Sequence, residues 1–295
     1  MNYILIFLLQ SIIFSMQEPS FNKERAFSYL IKQCSFGPRV PGTKSHIQGK
    51  EHIIKISMNS ADSLIEQSFM HSDVYSGKLI KLTNIIVQFN PTNKNRIWIA
   101  AHWDSRPWAD LDKKLKNRNK PILGANDGAS GVAVLLEIAN QLKIKSPNIG
   151  IDLIFLDGED MGKSGEIEHY FIGSKYLSKN IPTQFPKYCI LIDMIGDKNL
   201  QIPIEGHSYN QAPELVHILW NQAEKMGFNV FKKEISSYVE DDHVILYREG
   251  GIPSIDIIDF DYEYWHTLED TPDKCSPKSL ETIGKLLLNH IYSIN

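Results

Sequence analysis

The sequence predicts one α/β domain in which helices cover both faces of a mixed, largely parallel β-sheet. First, short apolar segments alternate along the chain with longer segments of helical periodicity. Second, two short segments, IDLIFL at 151–156 and YCILIDM at 188–194, are apolar runs of the kind found in central strands buried on both faces. Third, no internal repeat or low-complexity linker marks a domain boundary. The domain is therefore expected to run from residue 16 to residue 295.

The predicted elements follow each other along the chain. A helix is expected at 22–33, and apolar residues recur at helical spacing through a long segment, 45–70. The segment SGVAVLLEIANQL at 130–142 predicts a helix, with Ser130 as a candidate amino-terminal cap. Further helices are predicted at 174–178, 212–226 and 277–291. Strands are predicted at 79–89, 96–101, 151–156, 188–194 and 252–258.

The composition is that of a globular protein with a sizeable core, since 42% of the residues are hydrophobic and 22% are charged. The chain has 31 Lys and Arg against 35 Asp and Glu, a formal net charge of −4. Nucleic-acid binding needs a concentrated basic face, whereas the basic residues here are scattered. We therefore expect no nucleic acid among the partners.

The first fifteen residues, MNYILIFLLQSIIFS, form an apolar segment that is short for a bilayer span. The segment is typical of the apolar core of a secretory signal peptide, although no Lys or Arg precedes it and no A-x-A-like cleavage site follows. We predict a signal peptide at 1–15 and an exported protein, periplasmic or secreted, with no stable membrane insertion after its removal. The alternative is a buried amino-terminal strand or helix.

The three cysteines are an odd number without metal-site spacing. Cys189 falls within an apolar run and is predicted to be a small buried side chain. In an exported protein Cys34 and Cys275 could form a disulfide, and the sequence leaves that possibility open.

Polar residues cluster where the predicted strands end, which is where open α/β sheets place their sites. Each cluster alone is weak, because Asp-Gly is usually a turn and a single His is usually a hydrogen-bonded core or surface residue. Together they supply His and carboxylate groups without thiolates, a ligand set that suits a catalytic zinc with an open coordination position. The clusters are His102-Trp103-Asp104, Asn126-Asp127-Gly128, Asp157-Gly158-Glu159-Asp160, Asp193, Asp241-Asp242-His243 and Trp265-His266-Thr267.

The order and spacing of these clusters resemble the motifs of glutaminyl cyclases, particularly of their bacterial branch. The resemblance extends from Phe36 to the carboxyl terminus. It implies the fold and the zinc site that these cyclases share with co-catalytic zinc aminopeptidases. The segments that carry it are HWDSRPWAD, LGANDGASGV, FLDGED, LIDMIG, DDHVILYREGGIPSIDII and WHT.

The resemblance also assigns roles to individual residues. It implies that Glu159 is the general acid/base, and that Asp193 and Asp241 belong to a hydrogen-bonded network around the reaction centre. Trp265 matches the indole that lines the substrate pocket. Asp104 would orient the nearby histidine if that histidine binds metal, and would otherwise hold its loop. One zinc ion per chain would be bound by three ligands, Asp127, Asp160 and His266.

The implied activity is that of a glutaminyl-peptide cyclotransferase, an acyltransferase that converts the amino-terminal glutamine of peptides to pyroglutamate and releases ammonia. Glu159 would accept a proton from the α-amine and later deliver it to the departing ammonia. The expected partners are peptides or proteins with amino-terminal glutamine, and the chain is expected to act as a monomer. A non-catalytic peptide-binding protein is a remote alternative, because such a protein has no need to keep Glu159 together with the ligands.

The strongest alternative is an aminopeptidase that uses two zinc ions. Its second metal would need His102 and Asp193, with Asp127 bridging, and the chain has all three residues. Two features favour cyclisation: Trp265 precedes the last ligand, and Asp241 can share a proton with Asp193. A protonated Asp193 is a poor ligand, because metal binding requires the carboxylate.

Five more residues near the motifs have predicted roles. The segment after the acidic pair contains no Trp, and Tyr170 and Phe171 are expected to pack beneath this loop rather than line the pocket. Trp103 is expected to pack in the interior, while Trp108 could pack or contact substrate. His243 is expected to make a hydrogen bond that supports the site.

Overall fold

The computed structural model describes residues 19–294, so the predicted signal peptide lies outside the described residues. The strands are β1 Ser63–Asp73, β2 Lys78–Phe89, β3 Arg96–His102, β4 Gly150–Leu156, β5 Cys189–Asp193, β6 Ile202–Ile204, β7 Phe231–Ile235 and β8 Ser254–Ile258. The helices are α1 Lys23–Cys34, α2 Lys44–Met58, α3 Ala129–Ile144, α4 Ile172–Lys179, α5 Gly206–Gln211, α6 Pro213–Lys225, α7 Asp242–Arg248 and α8 Pro277–Ser293.

The main sheet has six strands in the order β1-β2-β4-β3-β5-β8. Strands β4, β3, β5 and β8 are parallel, whereas β2 is antiparallel to β4 and β1 is antiparallel to β2. Strands β6 and β7 form a separate parallel pair. The predicted α/β class with a mixed, largely parallel sheet is confirmed.

The apolar strands are central because both of their faces are covered. Every residue of β3 and β4 is buried. One face of the sheet packs with α1, α3 and α8 in the larger apolar core, and the other face packs with α4 and α7 in a smaller one. Burial on both faces explains why these strands lack the alternation of a half-exposed strand.

The predicted helix at 45–70 is wrong in its second half. Helix α2 begins after the cap Thr43, whose hydroxyl accepts the His46 N–H, and it ends at Met58. The chain then turns, and Ser63–Asp73 pairs with β2 along its whole length as an edge strand. Within β1 burial alternates between neighbouring residues, the two-residue period of a strand, which the longer helical pattern before it obscured.

Ser130 does not cap α3. The helix begins at Ala129, one residue earlier than predicted, and Ser130 lies inside its first turn. The Ser130 hydroxyl instead donates to the Asn126 carbonyl at 2.5 Å. This bond ties the start of α3 to the segment that carries Asp127, so the serine contributes to the position of that carboxylate.

The pair β6 and β7 and the short helices α5 and α7 were not predicted. Each is seven residues or fewer, which leaves little periodicity to read. Helix α7 matters for the site, because Asp241 is its amino-terminal cap and accepts the Asp242 N–H at 2.5 Å.

Cys34, Cys189 and Cys275 are buried, free thiols. The predicted burial of Cys189 is confirmed, and the possible bridge between Cys34 and Cys275 is not formed. Among residues 19–294, no helix is both long enough and apolar enough to cross a bilayer.

Candidate active site

The side chains predicted as zinc ligands come together at the carboxyl ends of the parallel strands. Asp127 lies just before α3, Asp160 follows β4, and His266 lies in the segment after β8. One ligand atom from each lies within 4.8 Å of the others. His266 Nε2 is 3.7 Å from Asp127 Oδ2 and 3.7 Å from Asp160 Oδ1.

The donor set fits a zinc ion. The Oδ2 atoms of Asp127 and Asp160 are buried and have no hydrogen-bond partner within the described part of the chain. A buried carboxylate oxygen without a partner is costly unless a proton or cation satisfies it. Two carboxylates and one imidazole leave a coordination position free for substrate, as catalytic zinc sites do.

Arg106, which was not recognised from the sequence, organises two of the ligands. Its guanidinium is fully buried and donates to Asp160 Oδ1 at 2.5 Å. It also donates to both oxygens of Asp110 at 2.9 and 2.7 Å, and to the Tyr170 hydroxyl at 2.8 Å. Asp110 Oδ1 in turn lies 3.5 Å from His266 Nδ1. A carboxylate against the outer nitrogen of a ligand histidine orients the ring for metal binding.

Two buried carboxylates hold the backbone of the ligand loops, and the first is Asp270. It accepts the N–H groups of Asn126 at 2.9 Å and Asp127 at 3.2 Å, and it receives the Tyr262 hydroxyl at 2.9 Å. Burial and the neighbouring charge of Asp127 raise the pKa of Asp270 to about 7. Asp270 was not identified from the sequence, because an acid in a polar loop has no distinguishing pattern.

Asp104 has the same function for the acidic pair. Its carboxylate accepts the N–H of Glu159 at 3.1 Å and that of Asp160 at 3.3 Å. It also lies 3.6 Å from His102 Nδ1. Of the two roles predicted for Asp104, the hydrogen bonds show one, holding a loop; His102 Nδ1 has no hydrogen-bond partner among the described residues.

Glu159 lines the pocket beside the ligands, with 13% of its side chain exposed. Burial raises its pKa well above the ordinary value, and the adjacent Asp160 raises it further. The pKa of Asp160 is itself raised to about 7, chiefly by burial and against the opposing charge of Arg106. A carboxyl group with a raised pKa next to the ligand cluster is protonated more readily than an exposed one, which suits a general acid/base.

A second ligand cluster adjoins the first. His102 Nε2 lies 3.2 Å from Asp127 Oδ1 and 3.2 Å from Asp193 Oδ1. Burial would lower the pKa of His102, but Asp193 and the other nearby carboxylates raise it well above the ordinary value. The residue at 128 must be glycine, because a Cβ there would lie 2.3 Å from His102 Nε2. The three side chains that the alternative aminopeptidase would need for a second metal, His102, Asp127 and Asp193, therefore lie together.

Comparison with known proteins places the chain in a family. Residues 84–291 match Peptidase family M28. The chain belongs to peptidase family M28. The chain is similar to a solved glutaminyl cyclase of Bacteroides thetaiotaomicron bound to N-acetylhistamine, with 38% identity, coverage of 95% of this chain and 100% of the other, and a TM-score of 0.90.

Two further relatives of this M28 protein bear on its chemistry. A leucine aminopeptidase precursor from Bacteroides thetaiotaomicron VPI-5482 is 38% identical, with coverage of 95% of this chain and 100% of the other and a TM-score of 0.91. The glutaminyl-peptide cyclotransferase of Bos taurus is 25% identical over 287 residues, covering 84% of this chain and 76% of the relative. The resemblance to glutaminyl cyclases is confirmed, and the family and the donor set imply zinc.

The pocket of this M28 protein has a volume of about 360 Å³ and opens above the ligand cluster. Trp265 forms one wall, with its ring centroid 4.1 Å from that of His266 and 4.8 Å from that of Phe260. Tyr170 and Phe171 both border the pocket. The expectation that they pack beneath the loop was wrong for Tyr170, whereas Phe171 is buried, with 2% of its surface exposed. Tyr170 faces the site because Arg106 holds its hydroxyl.

The two tryptophans of the HxD segment lie away from the pocket walls. Trp103 is fully buried and stacks on His46 with ring centroids 4.2 Å apart, which confirms the prediction that it packs. Trp108 packs edge-on against Tyr75, with centroids 5.5 Å apart, and does not line the pocket formed by the described residues.

Asp241 and Asp256 belong to a buried group of acids behind the pocket, and Asp241 faces the pocket. Burial raises the pKa of Asp256 well above the ordinary value, and Asp241 raises it further. His243 does make a hydrogen bond, but to Glu205 at 3.0 Å rather than to a predicted site residue. Asp256 was missed because it lies in an otherwise apolar strand, where a single acid has no pattern of its own.

Proposed function

We propose that this protein is a glutaminyl-peptide cyclotransferase, an acyltransferase that uses one zinc ion. The observation that carries the proposal is the joint placement of Glu159 and Trp265 in one pocket with the three-ligand cluster. The similarity to glutaminyl cyclases from bacteria and vertebrates supports it.

Zinc held by Asp127, Asp160 and His266 would supply a Lewis acid that polarises the side-chain amide carbonyl of the glutamine. Glu159 holds or releases a proton beside the amide carbonyl of the bound glutamine. It accepts a proton from the neutral α-amine as the amine nitrogen attacks the amide carbonyl carbon, Cδ, and the new C–N bond closes the five-membered ring. The C–N bond to the amide nitrogen then breaks, and Glu159 returns the proton, so the products are pyroglutamyl peptide and ammonia.

The protein contributes position and charge rather than a nucleophile of its own. Amine and amide belong to the same residue, so the pocket has to hold one reactive conformer. The Trp265 ring limits the space beside His266, and Arg106 and Asp110 keep the ligands from moving. Asp193 and Asp241 line the same pocket, where they attract the positively charged amine.

The second candidate is a two-zinc aminopeptidase. The cluster of His102, Asp127 and Asp193 and the similarity to a leucine aminopeptidase precursor favour it. The two activities give different products from one substrate, so a single assay separates them.

The deciding experiment is mass spectrometry of a peptide that begins with glutamine, incubated with zinc-loaded protein. Cyclisation removes one ammonia and leaves the peptide bond intact, whereas an aminopeptidase releases the free first residue. The same peptide with an acetylated α-amine is the matched control and should not react. We expect Glu159→Gln to lower the rate by roughly 10²- to 10⁴-fold, the usual contribution of a general acid/base. Release of the first residue would refute the cyclase assignment.

The zinc content and the location of the protein are separate parts of the proposal. We expect elemental analysis to find one zinc ion per chain. This ion should be lost in His266→Ala and retained in His102→Gln. Two ions per chain would favour the aminopeptidase. We propose that the monomer is active, since one chain supplies Glu159, Trp265 and all three predicted ligands, and sedimentation at assay concentration tests this. We propose export, supported by the apolar leader at 1–15, and a mature protein that still begins at Met1 would contradict it.

A further inference from the structure

The turn between β1 and β2 presents one aromatic residue, Tyr75, in a fixed position. The Asp73 carboxylate accepts the N–H of Tyr75 at 3.3 Å and that of Ser76 at 3.0 Å. The Asp73 carbonyl accepts the Gly77 N–H at 2.8 Å, with Gly77 at a φ of +66° that favours glycine. Hydrogen bonds to the side chain and the backbone carbonyl of Asp73 thus close the turn and restrict the backbone conformation at Tyr75.

The segment 161–170 forms one side of the pocket. It connects the acidic pair to α4 and contains a single helical turn, Ile167–His169. Its carboxyl end is anchored, because Arg106 holds the Tyr170 hydroxyl and the Lys175 ammonium donates to the carbonyls of Glu168 and Tyr170. The residues that it gives to the pocket wall are Ser164, Gly165, Ile167 and Tyr170.

Tyr75 reaches across to the middle of this segment. Its hydroxyl donates to Glu166 Oε2 at 2.6 Å and accepts the Lys163 N–H at 2.9 Å. The ring packs edge-on against Trp108 and His169, with centroids 5.5 and 5.6 Å away, and the Lys163 ammonium lies 4.8 Å from the ring centroid. The two hydrogen-bonded residues flank Ser164 and Gly165, so one hydroxyl holds the Lys163 backbone on one side of these two wall residues and the Glu166 side chain on the other.

We infer that Tyr75 is a positioning residue that fixes this wall for the part of the substrate beyond its first residue. The inference rests on the proposed function, in which the first residue occupies the position between Glu159 and the ligands. Ile167 is 52% exposed and lies on the same pocket, so its side chain is available to an outgoing peptide. A wall that is already ordered loses less conformational freedom when the peptide binds.

The kinetic test compares Tyr75→Phe with wild type on two substrates, glutaminamide and a pentapeptide that begins Gln-Phe. We expect KM for the pentapeptide to rise by roughly three- to tenfold, on the scale of one ordinary hydrogen bond, because the two bonds lost with the hydroxyl hold the wall and do not contact the peptide. We expect kcat on both substrates and KM for glutaminamide to stay within about twofold. Glu166→Gln should give a smaller change in the same direction. An equal change on both substrates, or no change, would overturn the inference.

The matched control is Tyr29→Phe, which removes another tyrosine hydroxyl with a single hydrogen bond, from Asn140 at 2.9 Å. It should not alter the ratio of the two KM values. A second measurement does not depend on activity: hydrogen exchange of the amides at 162–169 should be faster in Tyr75→Phe. Unchanged exchange there would overturn the inference even if the protein proved to have another activity. Failure of wild type to cyclise either substrate would refute the proposed function alone.

Discussion

Asp110 is not one of the three predicted zinc ligands, yet its replacement should weaken zinc binding. Asp110 Oδ1 lies 3.5 Å from His266 Nδ1, and both carboxylate oxygens receive Arg106. Burial would raise the pKa of Asp110, but His266 and Arg106 together hold it below the ordinary value, so the group is ionised at neutral pH. Asp110→Asn keeps the shape and removes the charge.

The expected magnitude follows from this geometry. Loss of a carboxylate behind a ligand histidine costs roughly 10- to 100-fold in metal affinity. The distance of 3.5 Å is long for a hydrogen bond, which favours the lower part of that range. The NH₂ group of the introduced amide would also face an Arg106 N–H, two donors without an acceptor between them. Asp160, 2.5 Å from the guanidinium, would then be the carboxylate that alone balances its charge. We expect a loss of roughly 10- to 30-fold, or about 1.4 to 2 kcal/mol.

The assay is an equilibrium competition for zinc between the protein and a chromogenic chelator. Asp112→Asn is the matched control, since Asp112 lies in the same loop and accepts the N–H groups of Lys114 at 2.8 Å and Leu268 at 3.3 Å. It should leave zinc affinity within about twofold, because Asp112 contacts no predicted ligand side chain. Unchanged affinity in Asp110→Asn would refute the reasoning, and an equal loss in both variants would show that loop order, not the histidine, is responsible.

Two further predictions concern the scaffold away from the pocket. Arg96→Met should lower the free energy of unfolding, measured in urea, by about 3 to 5 kcal/mol. The reason is that it leaves the fully buried Asp152, now 2.6 Å from the guanidinium, without a cation. Adding Asp152→Asn should restore part of the loss, and an equally unstable double variant would contradict this explanation. Burial lowers the pKa of His290 from 6.5 to about 4. The folded state therefore resists protonation, and stability present above pH 6.5 is lost as the pH falls toward 4, by about 3 kcal/mol at most. His290→Gln can keep the contacts to Tyr188 and Gln222 and should show a smaller decline over that pH range, whereas an identical pH profile would exclude His290 as its source.

Much of the fold was predictable because burial leaves its pattern in the sequence. Strands β3, β4 and β5 are apolar since both faces of the sheet are covered, and each predicted limit lies within one residue of the observed one. The edge strand β1 was mistaken for helix because its half-exposed alternation follows directly after α2. Short elements such as α7 have too few residues for a period to show.

The predicted ligands were accessible to sequence reasoning because their acids and histidine lie in polar clusters near predicted strands and helices, and the order of these clusters resembles the motifs of glutaminyl cyclases. Their supporting groups were not. Arg106 and Asp110 lie inside a quoted motif, but no local pattern shows that they face Asp160 and His266. Tyr75 is 88 and 91 residues away in sequence from Lys163 and Glu166, which its hydroxyl contacts. Only the sheet and its turn bring these residues together.

The sequence by itself determined the kinds of donor, their order along the chain and the strand ends at which they lie, because these follow from local patterns of burial and polarity. The tertiary structure decided which oxygen of each carboxylate is already occupied, which acids share a buried space, and which side chains form the pocket wall. These depend on distances between residues far apart in the chain. A pKa or a metal ligand is a property of that assembled environment, since desolvation and neighbouring charges exist only after folding.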